Sequence, residues 1–285
     1  MIDLHIHTTH SSDGQYRPDE IFAMAASAGL KALSFTDHMD KGAAVHGVNL
    51  ASRYPVEFFT GVEISTSLQQ KEYHLLCYGF DPDSTVLDEF LSYHCSRIWE
   101  HADKFLDHFQ AMGFDVTKDD ISGWGKSVPT GVTFLDAIKK RNSNDPRLHA
   151  YLKGEKAHSP YLNFYKDFSL TDFGSIITSV LPSLTQSIHA LKGSGVLILA
   201  HPGDIDRDLL KVLKQDGLDG IEVYSSHHEQ KTTRHLKSLA ADLDLFASAG
   251  SDFHGERIKP DIPFGYIPGQ PDERLMQVLR RRRDS

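Results

Sequence analysis

The sequence predicts an α/β barrel interrupted by an inserted helical domain. Three observations carry this. Seven segments have strand character, at residues 2–7, 31–36, 56–64, 72–79, 195–200, 220–225 and 245–250, and helical segments separate several of them. Histidines and carboxylates gather where most of these strands end, which is where an α/β barrel builds its active face. Between about residues 83 and 186 no such cluster occurs, and the pattern turns helical.

The elements follow in order. Residues 2–7 alternate as a strand does. Arg17-Pro18-Asp19-Glu20 then opens a helix, because proline suits the first helical position and acids suit the first turn. Ile21, Met24, Ala25 and Ala28 repeat at helical spacing, and Gly29 is a stop. KALSFT (31–36) is the next strand and ends at Asp37-His38. Residues 86–112 read as one long amphipathic helix, with Leu87, Phe90, Leu91, Ile98, Phe105, Leu106 and Phe109 on its apolar face. Further helices are expected over 130–141 and 171–191, with a loop around Ser143-Asn144-Asp145-Pro146 between them. The expected division is a barrel in two parts, 1–82 and 187–285, with 83–186 as a helical insertion that forms a lid. A last helix runs over Glu273–Arg283, and its four closing arginines suit the helix dipole.

Composition narrows the function. A chain of 285 residues, 40% hydrophobic and 24% charged, is that of an ordinary soluble globular protein. No apolar run is long enough to span a bilayer, and the start MIDLHIHTT does not read as a signal peptide. The two cysteines, Cys77 and Cys95, form neither a CxxC pair nor a disulfide framework, which favours a reducing compartment such as the cytoplasm. A net charge of −9 argues against a long nucleic-acid footprint. It is compatible with a small phosphorylated substrate, because bound dications make a cleft locally positive.

The chemistry-bearing residues lie at the strand ends. His5 and His7 are two apart on one strand, so both face the same way and can share a metal. Asp13 follows in Ser-Asp-Gly, which would also serve as a plain turn. His38 closes the second strand. Glu63 sits among apolar residues, where a carboxylate is costly unless paired or metal-bound. His201 ends GVLILA just before Pro-Gly, and Asp252 and His254 follow LFASAG. His74 reads equally as a satisfied core histidine, and it falls near the start of its strand, the wrong end for a parallel barrel. A leaving alkoxide needs a proton, for which His227, His228 and His46 are candidates. Phosphate needs a cation, for which Arg97, Lys126 and Arg257 are candidates. Glu222 can support a metal ligand from behind.

At these positions the chain resembles the PHP family, named for its polymerase and histidinol phosphatase members. The resemblance rests on HIH with Asp13 beyond it, TDH, GVEIS, a following His, AHPG and GSDFHG, in family order, over about residues 1–82 and 190–269. It implies a distorted seven-stranded (β/α) barrel holding two or three divalent metals, commonly Mn, Fe or Zn. It also implies the ligand set His5, His7, Asp13, His38, Glu63, His74, His201, Asp252 and His254. Asp13 stands where many members have histidine. The SDG after HxH, the helical insertion and the GIEVY strand resemble a subgroup that hydrolyses nucleotide phosphomonoesters, including 3′,5′-bisphosphates. That subgroup often carries Arg-Pro-His in its insertion, where this chain has Lys126-Ser127-Val128-Pro129 and on to Thr133.

The expected activity is therefore metal-dependent hydrolysis of a small phosphomonoester, most simply a nucleotide, by a hydroxide shared between metals attacking phosphorus. Histidinol-phosphate phosphatase is an alternative with the same metal chemistry. An amidohydrolase is another, opposed by Glu63 standing where a lysine that could become a carbamate ligand is wanted. A metal-binding regulatory module, using the helices as an interaction surface, is the alternative of a different class.

Overall fold

At Thr60 the chain passes from one sheet to another. In the computed structural model, whose described residues are 1–122, 128–169 and 172–285, the first part forms β1 (Ile2–Ile6), α1 (Pro18–Ala28), β2 (Ala32–Phe35), α2 (Gly42–Ala51) and β3 (Glu57–Phe59). β1, β2 and β3 make a parallel three-stranded sheet. β4 (Gly61–Leu68) and β5 (Lys71–Tyr78) begin a second sheet, completed by β6 (Val196–Leu199), β7 (Gly220–Ser225) and β8 (Phe246–Gly250) in that spatial order.

The expected single strand over 56–64 is thus two strands, β3 and β4, in different sheets. Among the described residues, eight strands stand where seven are expected. No continuous ladder closes into a seven-stranded barrel among the described residues. Isolated bridges join the sheets instead. On one side, the Asp252 N–H donates to the His5 carbonyl at 2.9 Å and the His7 N–H to the Phe253 carbonyl at 2.9 Å. On the other, the Met39 N–H donates to the Glu63 carbonyl at 2.8 Å and the Glu63 N–H to the Asp37 carbonyl at 3.2 Å. Both seams run through chemistry-bearing residues.

β4 and β5 form an antiparallel hairpin, with Leu68 opposite Lys71 and Gln69-Gln70 between them. Both glutamines have positive φ, 52° and 61°, the backbone that a tight two-residue hairpin turn requires. Because β5 runs backwards, its start lies at the end of the sheet where the parallel strands finish. His74, paired with Ser65, is therefore at the active end after all.

The helices between β5 and β6 are α3 (Thr85–Glu100), α4 (Ala102–Ala111), α5 (Lys118–Ser122), α6 (Gly131–Arg141), α7 (His149–Leu152), α8 (Pro160–Ser169), α9 (Asp172–Val180) and α10 (Leu184–Leu191). The long helix expected over 86–112 breaks at His101, which leaves helical geometry at φ −99° and ψ 9°. The helix expected over 171–191 breaks before α10 at Pro182, which has no N–H to continue the ladder. The stretch expected as loop after α6 contains α7, α8 and a 3-10 turn at Pro146–Leu148.

These helices share one apolar cluster with the second sheet. Phe105, Phe109, Phe134, Phe164 and Phe173 are buried in it together with Val62, Ile64, Leu75, Leu199 and Ile221. A separate cluster seats α1 and α2 on the first sheet through Ile21, Phe22, Phe35 and Phe58. α11 (Arg207–Asp216) and α12 (Gln230–Asp242) follow β6 and β7. α13 (Glu273–Arg283) covers Leu4, Leu76 and Ile198 with Leu275, Met276 and Leu279. Gly29 ends α1 at φ 70°, the left-handed cap expected of a glycine there. Among the described residues, no helix is long and apolar enough to cross a membrane.

Candidate metal centre

Glu63 stands at the middle of a buried cluster. Its Oε2 lies 3.3 Å from His5 Nε2, 3.1 Å from His7 Nε2 and 3.2 Å from His38 Nδ1. Its Oε1 lies 2.9 Å from His74 Nδ1 and 3.3 Å from His201 Nε2. Asp252 Oδ1 lies 3.3 Å from His5 Nε2 and 3.2 Å from His7 Nε2. Asp13 Oδ2 is 3.5 Å from His38 Nε2 and 3.6 Å from His254 Nε2. Three donor groups result, each with its ligand atoms within 4.8 Å of one another: His7-Asp13-His38-His254, His5-His7-Glu63-Asp252 and His38-Glu63-His74. His7, His38 and Glu63 are each shared by two of them.

Local structure aims these side chains. β1 presents His5 and His7 on one face. His201 (φ 25°) and Asp252 (φ 56°) take left-handed backbone where β6 and β8 end, which turns their side chains inward at some conformational cost. Asp37, next to His38, takes no place in the cluster. It fixes the loop after β1 instead, accepting from Thr8 N–H at 2.7 Å, Thr8 Oγ1 at 2.9 Å and Ser11 N–H at 2.9 Å. Asp3 ties that strand to β8 by accepting from Ser251 N–H at 2.9 Å and Ser251 Oγ at 2.6 Å. Burial pushes both Asp3 and Asp37 up to about 6.

The donor chemistry fits a divalent cation. The His5 Nδ1–H donates to Glu222 Oε1 at 3.0 Å, which leaves the lone pair of its Nε2 facing the cluster. The His254 Nδ1–H donates to the Asp252 carbonyl at 2.9 Å and leaves its Nε2 free in the same way. Glu63 Oε2 and Asp13 Oδ1 are buried and make no hydrogen bond, an arrangement that is costly unless positive charge sits beside them. Burial lowers the pKa of His7, but the Asp252 and Glu63 carboxylates beside its ring outweigh it and push it up to about 9. Burial likewise opposes His74, yet Glu63 and Glu72 push it up to about 10. In His38 burial wins, and its pKa falls to about 3. The pocket thus concentrates buried negative charge in reach of imidazole donors, the set preferred by transition-metal dications.

The other nominated residues separate. His227 reaches the cluster, with Nε2 2.5 Å from Asp252 Oδ2. Burial and the Lys259 charge lower its pKa to about 4, so its neutral form dominates near neutral pH. His228 is committed to backbone: its Nδ1–H donates to the Val223 carbonyl at 3.1 Å and its Nε2 accepts from Gly203 N–H at 3.4 Å. His46 is exposed on α2, away from the cavity walls. Arg97 is exposed on α3 beside Tyr93. Arg257 does not line the cavity, because Asp136 Oδ2 at 2.6 Å and Tyr161 Oη at 2.8 Å hold its guanidinium outside. Lys126 lies outside the described residues.

Three contributors escaped the sequence reading. Lys259 puts its ammonium 2.5 Å from Asp252 Oδ2 and lines the cavity. It sits in a loop after the last motif, and nothing in that loop's pattern marks it. Glu72 lies 3.2 Å from His74 Nε2 and accepts from the Tyr165 hydroxyl. The alternation of β5, which puts Glu72 on the same face as His74, could have suggested it. Ser12 Oγ lies 3.1 Å from the Val128 carbonyl and 3.0 Å from Thr130 Oγ1, tying the Asp13 loop to the start of α6.

A cavity of about 240 Å³ opens onto the cluster. One wall carries Asp13, His38, Glu63, His74, His201, Asp252 and His254. The opposite wall comes from the helices between β5 and β6 and is apolar, with Phe105, Val132, Phe134, Ile177 and Leu181.

Residues 3–84 match the family model of the PHP domain. A Chromobacterium violaceum protein named 3′,5′-nucleoside bisphosphate phosphatase is 28% identical over 89% of this chain and 87% of its own length. A Haemophilus influenzae protein named 5′-3′ exoribonuclease is 27% identical over 93% of this chain and 91% of its own. A solved structure from Bifidobacterium adolescentis, described as a metal-dependent phosphoesterase, superposes with a TM-score of 0.77 at 23% identity, over 99% of this chain and 96% of that one.

Proposed function

We propose that this chain, which carries a PHP domain at residues 3–84, is a metal-dependent phosphoesterase that releases phosphate from a small phosphomonoester, with His5, His7, Asp13, His38, Glu63, His74, His201, Asp252 and His254 as its metal ligands. One observation carries the reading: three donor groups overlap pairwise through His7, His38 and the buried Glu63, on the floor of a cavity. The overlap supports two or three cations, and the mixture of imidazole and carboxylate suits Mn, Fe or Zn. The helices over 85–180 serve as the cover of the site, and the strand ends as its floor. The two curated relatives are named for nucleotide and RNA phosphoesters, which supports a nucleotide-type substrate.

Bound dications supply positive charge that acidifies the attacking water and neutralises phosphoryl oxygens. The chain's own groups do the rest. Glu222 fixes the His5 tautomer from behind. Lys259 is the sole lysine or arginine among the described cavity-lining residues, and its ammonium is placed to receive a phosphate oxygen. The apolar wall keeps bulk water away, which strengthens each of these contacts. His227, hydrogen-bonded to Asp252 and neutral near neutral pH, holds that carboxylate in place from the cavity side. This role differs from the positions of His228 and His46, which the backbone contacts and the exposure above remove from the cavity.

The test is inorganic phosphate release from a panel of nucleoside monophosphates, histidinol phosphate and sugar phosphates, using protein reconstituted with manganese, iron or zinc. Phosphate release without ammonia is expected. Ammonia release with no phosphate would move the chain to amide chemistry.

A further inference from the structure

Facing the proposed metal centre is a wall that metal chemistry does not use. Phe105, Val132, Phe134, Ile177 and Leu181 line it, and the Tyr161 and Tyr165 rings stand beside them. A phosphate held by the cation side points its ester oxygen, and the group attached to it, toward this wall. Glu72 belongs to the cation side of the cavity, 3.2 Å from His74 Nε2, so the wall residues named here carry no charged group.

We infer that the apolar wall is a subsite for the leaving group, and that the substrate is a phosphomonoester of a ring-bearing, predominantly apolar alcohol. This rests on the phosphoesterase reading above and narrows it. The volume agrees. A dry cavity of roughly 150 Å³ accepts one benzene ring, and about 240 Å³ leaves room for a ring and one phosphate.

The test uses the metal-replete full-length protein and esters that share an alkoxide leaving group, so that leaving-group acidity stays constant. 2-Phenylethyl phosphate should exceed glycerol 1-phosphate in kcat/KM by about tenfold or more, carried in KM, which one buried ring readily supplies. Ile177→Gln should bring the phenylethyl-to-glycerol ratio down toward unity, whereas Ile177→Leu should keep it. Equal rates on the two alkyl esters would overturn the subsite while leaving the phosphoesterase reading intact. Calorimetry with 2-phenylethylphosphonate against methylphosphonate reads the wall without any turnover. If no ester releases phosphate, the activity proposal fails, and this binding ratio alone decides the subsite: tighter binding of the phenylethyl compound supports it, and equal binding overturns it.

Discussion

Glu222 holds His5 from behind. Its Oε1 lies 3.0 Å from His5 Nδ1, and both side chains are fully buried. The other oxygen of the same carboxylate accepts from the His201 backbone N–H at 2.9 Å. One carboxylate therefore aligns two of the proposed ligands, from β1 and from the end of β6. Glutamine at this position offers one acceptor and one donor, so one of the two N–H groups would face an NH₂. Glu222→Gln is expected to weaken manganese binding about 10–100-fold, as the loss of an outer partner to a ligating histidine does. Calorimetric titration of metal-free protein checks this, and an unchanged affinity would remove Glu222 from that role.

Gly250 allows β8 to approach β1. A Cβ there would stand 2.1 Å from the His5 Cβ and 2.8 Å from both the His5 nitrogen and Glu222 Oε1. Backbone would have to move to admit it. Gly250→Ala should lower metal affinity and Tm together. A variant with native Tm and native metal content would contradict the packing described.

How much of this was legible in the sequence depended on the kind of signal. His5, His7, His201, Asp252 and His254 announce themselves because strand ends are readable and imidazoles are costly to bury without purpose. The fold was less legible. Residues 56–64 are rich enough in Val, Phe and Ile to pass for one strand, and only pairing reveals the step at Thr60. The reversal at Gln69-Gln70 lacks the Asn-Gly or Asp-Gly signature of such turns, so the direction of β5, and with it the placement of His74, was hidden. The amphipathic stripe of 86–112 continues through His101 although the helix does not, because the same apolar face packs in α3 and α4. Lys259 lies in an irregular loop, where periodicity says nothing about which way a side chain points.

Lys259 gives a kinetic prediction. A charge-assisted contact to phosphate is worth roughly 1.5–3 kcal/mol, so Lys259→Ala should raise KM for phosphate esters about 10–100-fold. Lys259→Arg should recover part of that. Steady-state kinetics with the KM and kcat effects separated decide the matter, and an effect confined to metal content would assign the lysine to Asp252 instead.

The helical segment makes a pH prediction. Asp120 accepts from Arg141 Nε at 2.6 Å, from Thr117 Oγ1 at 2.8 Å and from Thr117 N–H at 3.0 Å. Burial opposes its charge, but these donors hold its pKa well below the ordinary 3.8. A carboxyl depressed in the folded state stabilises fully above its unfolded pKa, and that stability is lost as pH falls through the folded value. Asp120→Asn should therefore lower Tm at pH 7 by roughly 4–8 °C, and the gap to the parent protein should begin to narrow below pH 4. Equal Tm values at pH 7 would show that the network contributes nothing.

The central claim is that Glu63, shared by two of the three donor groups, helps to join them into one metal centre that drives phosphate release. Elemental analysis of wild-type and Glu63→Ala protein, with phosphate release measured on the same preparations, tests it most directly. The account predicts at least two equivalents of transition metal in the wild type and a loss of metal in the variant. The fall in turnover should exceed the roughly 100-fold that an outer-partner change produces. A folded Glu63→Ala protein that keeps both its metal and its rate would contradict it.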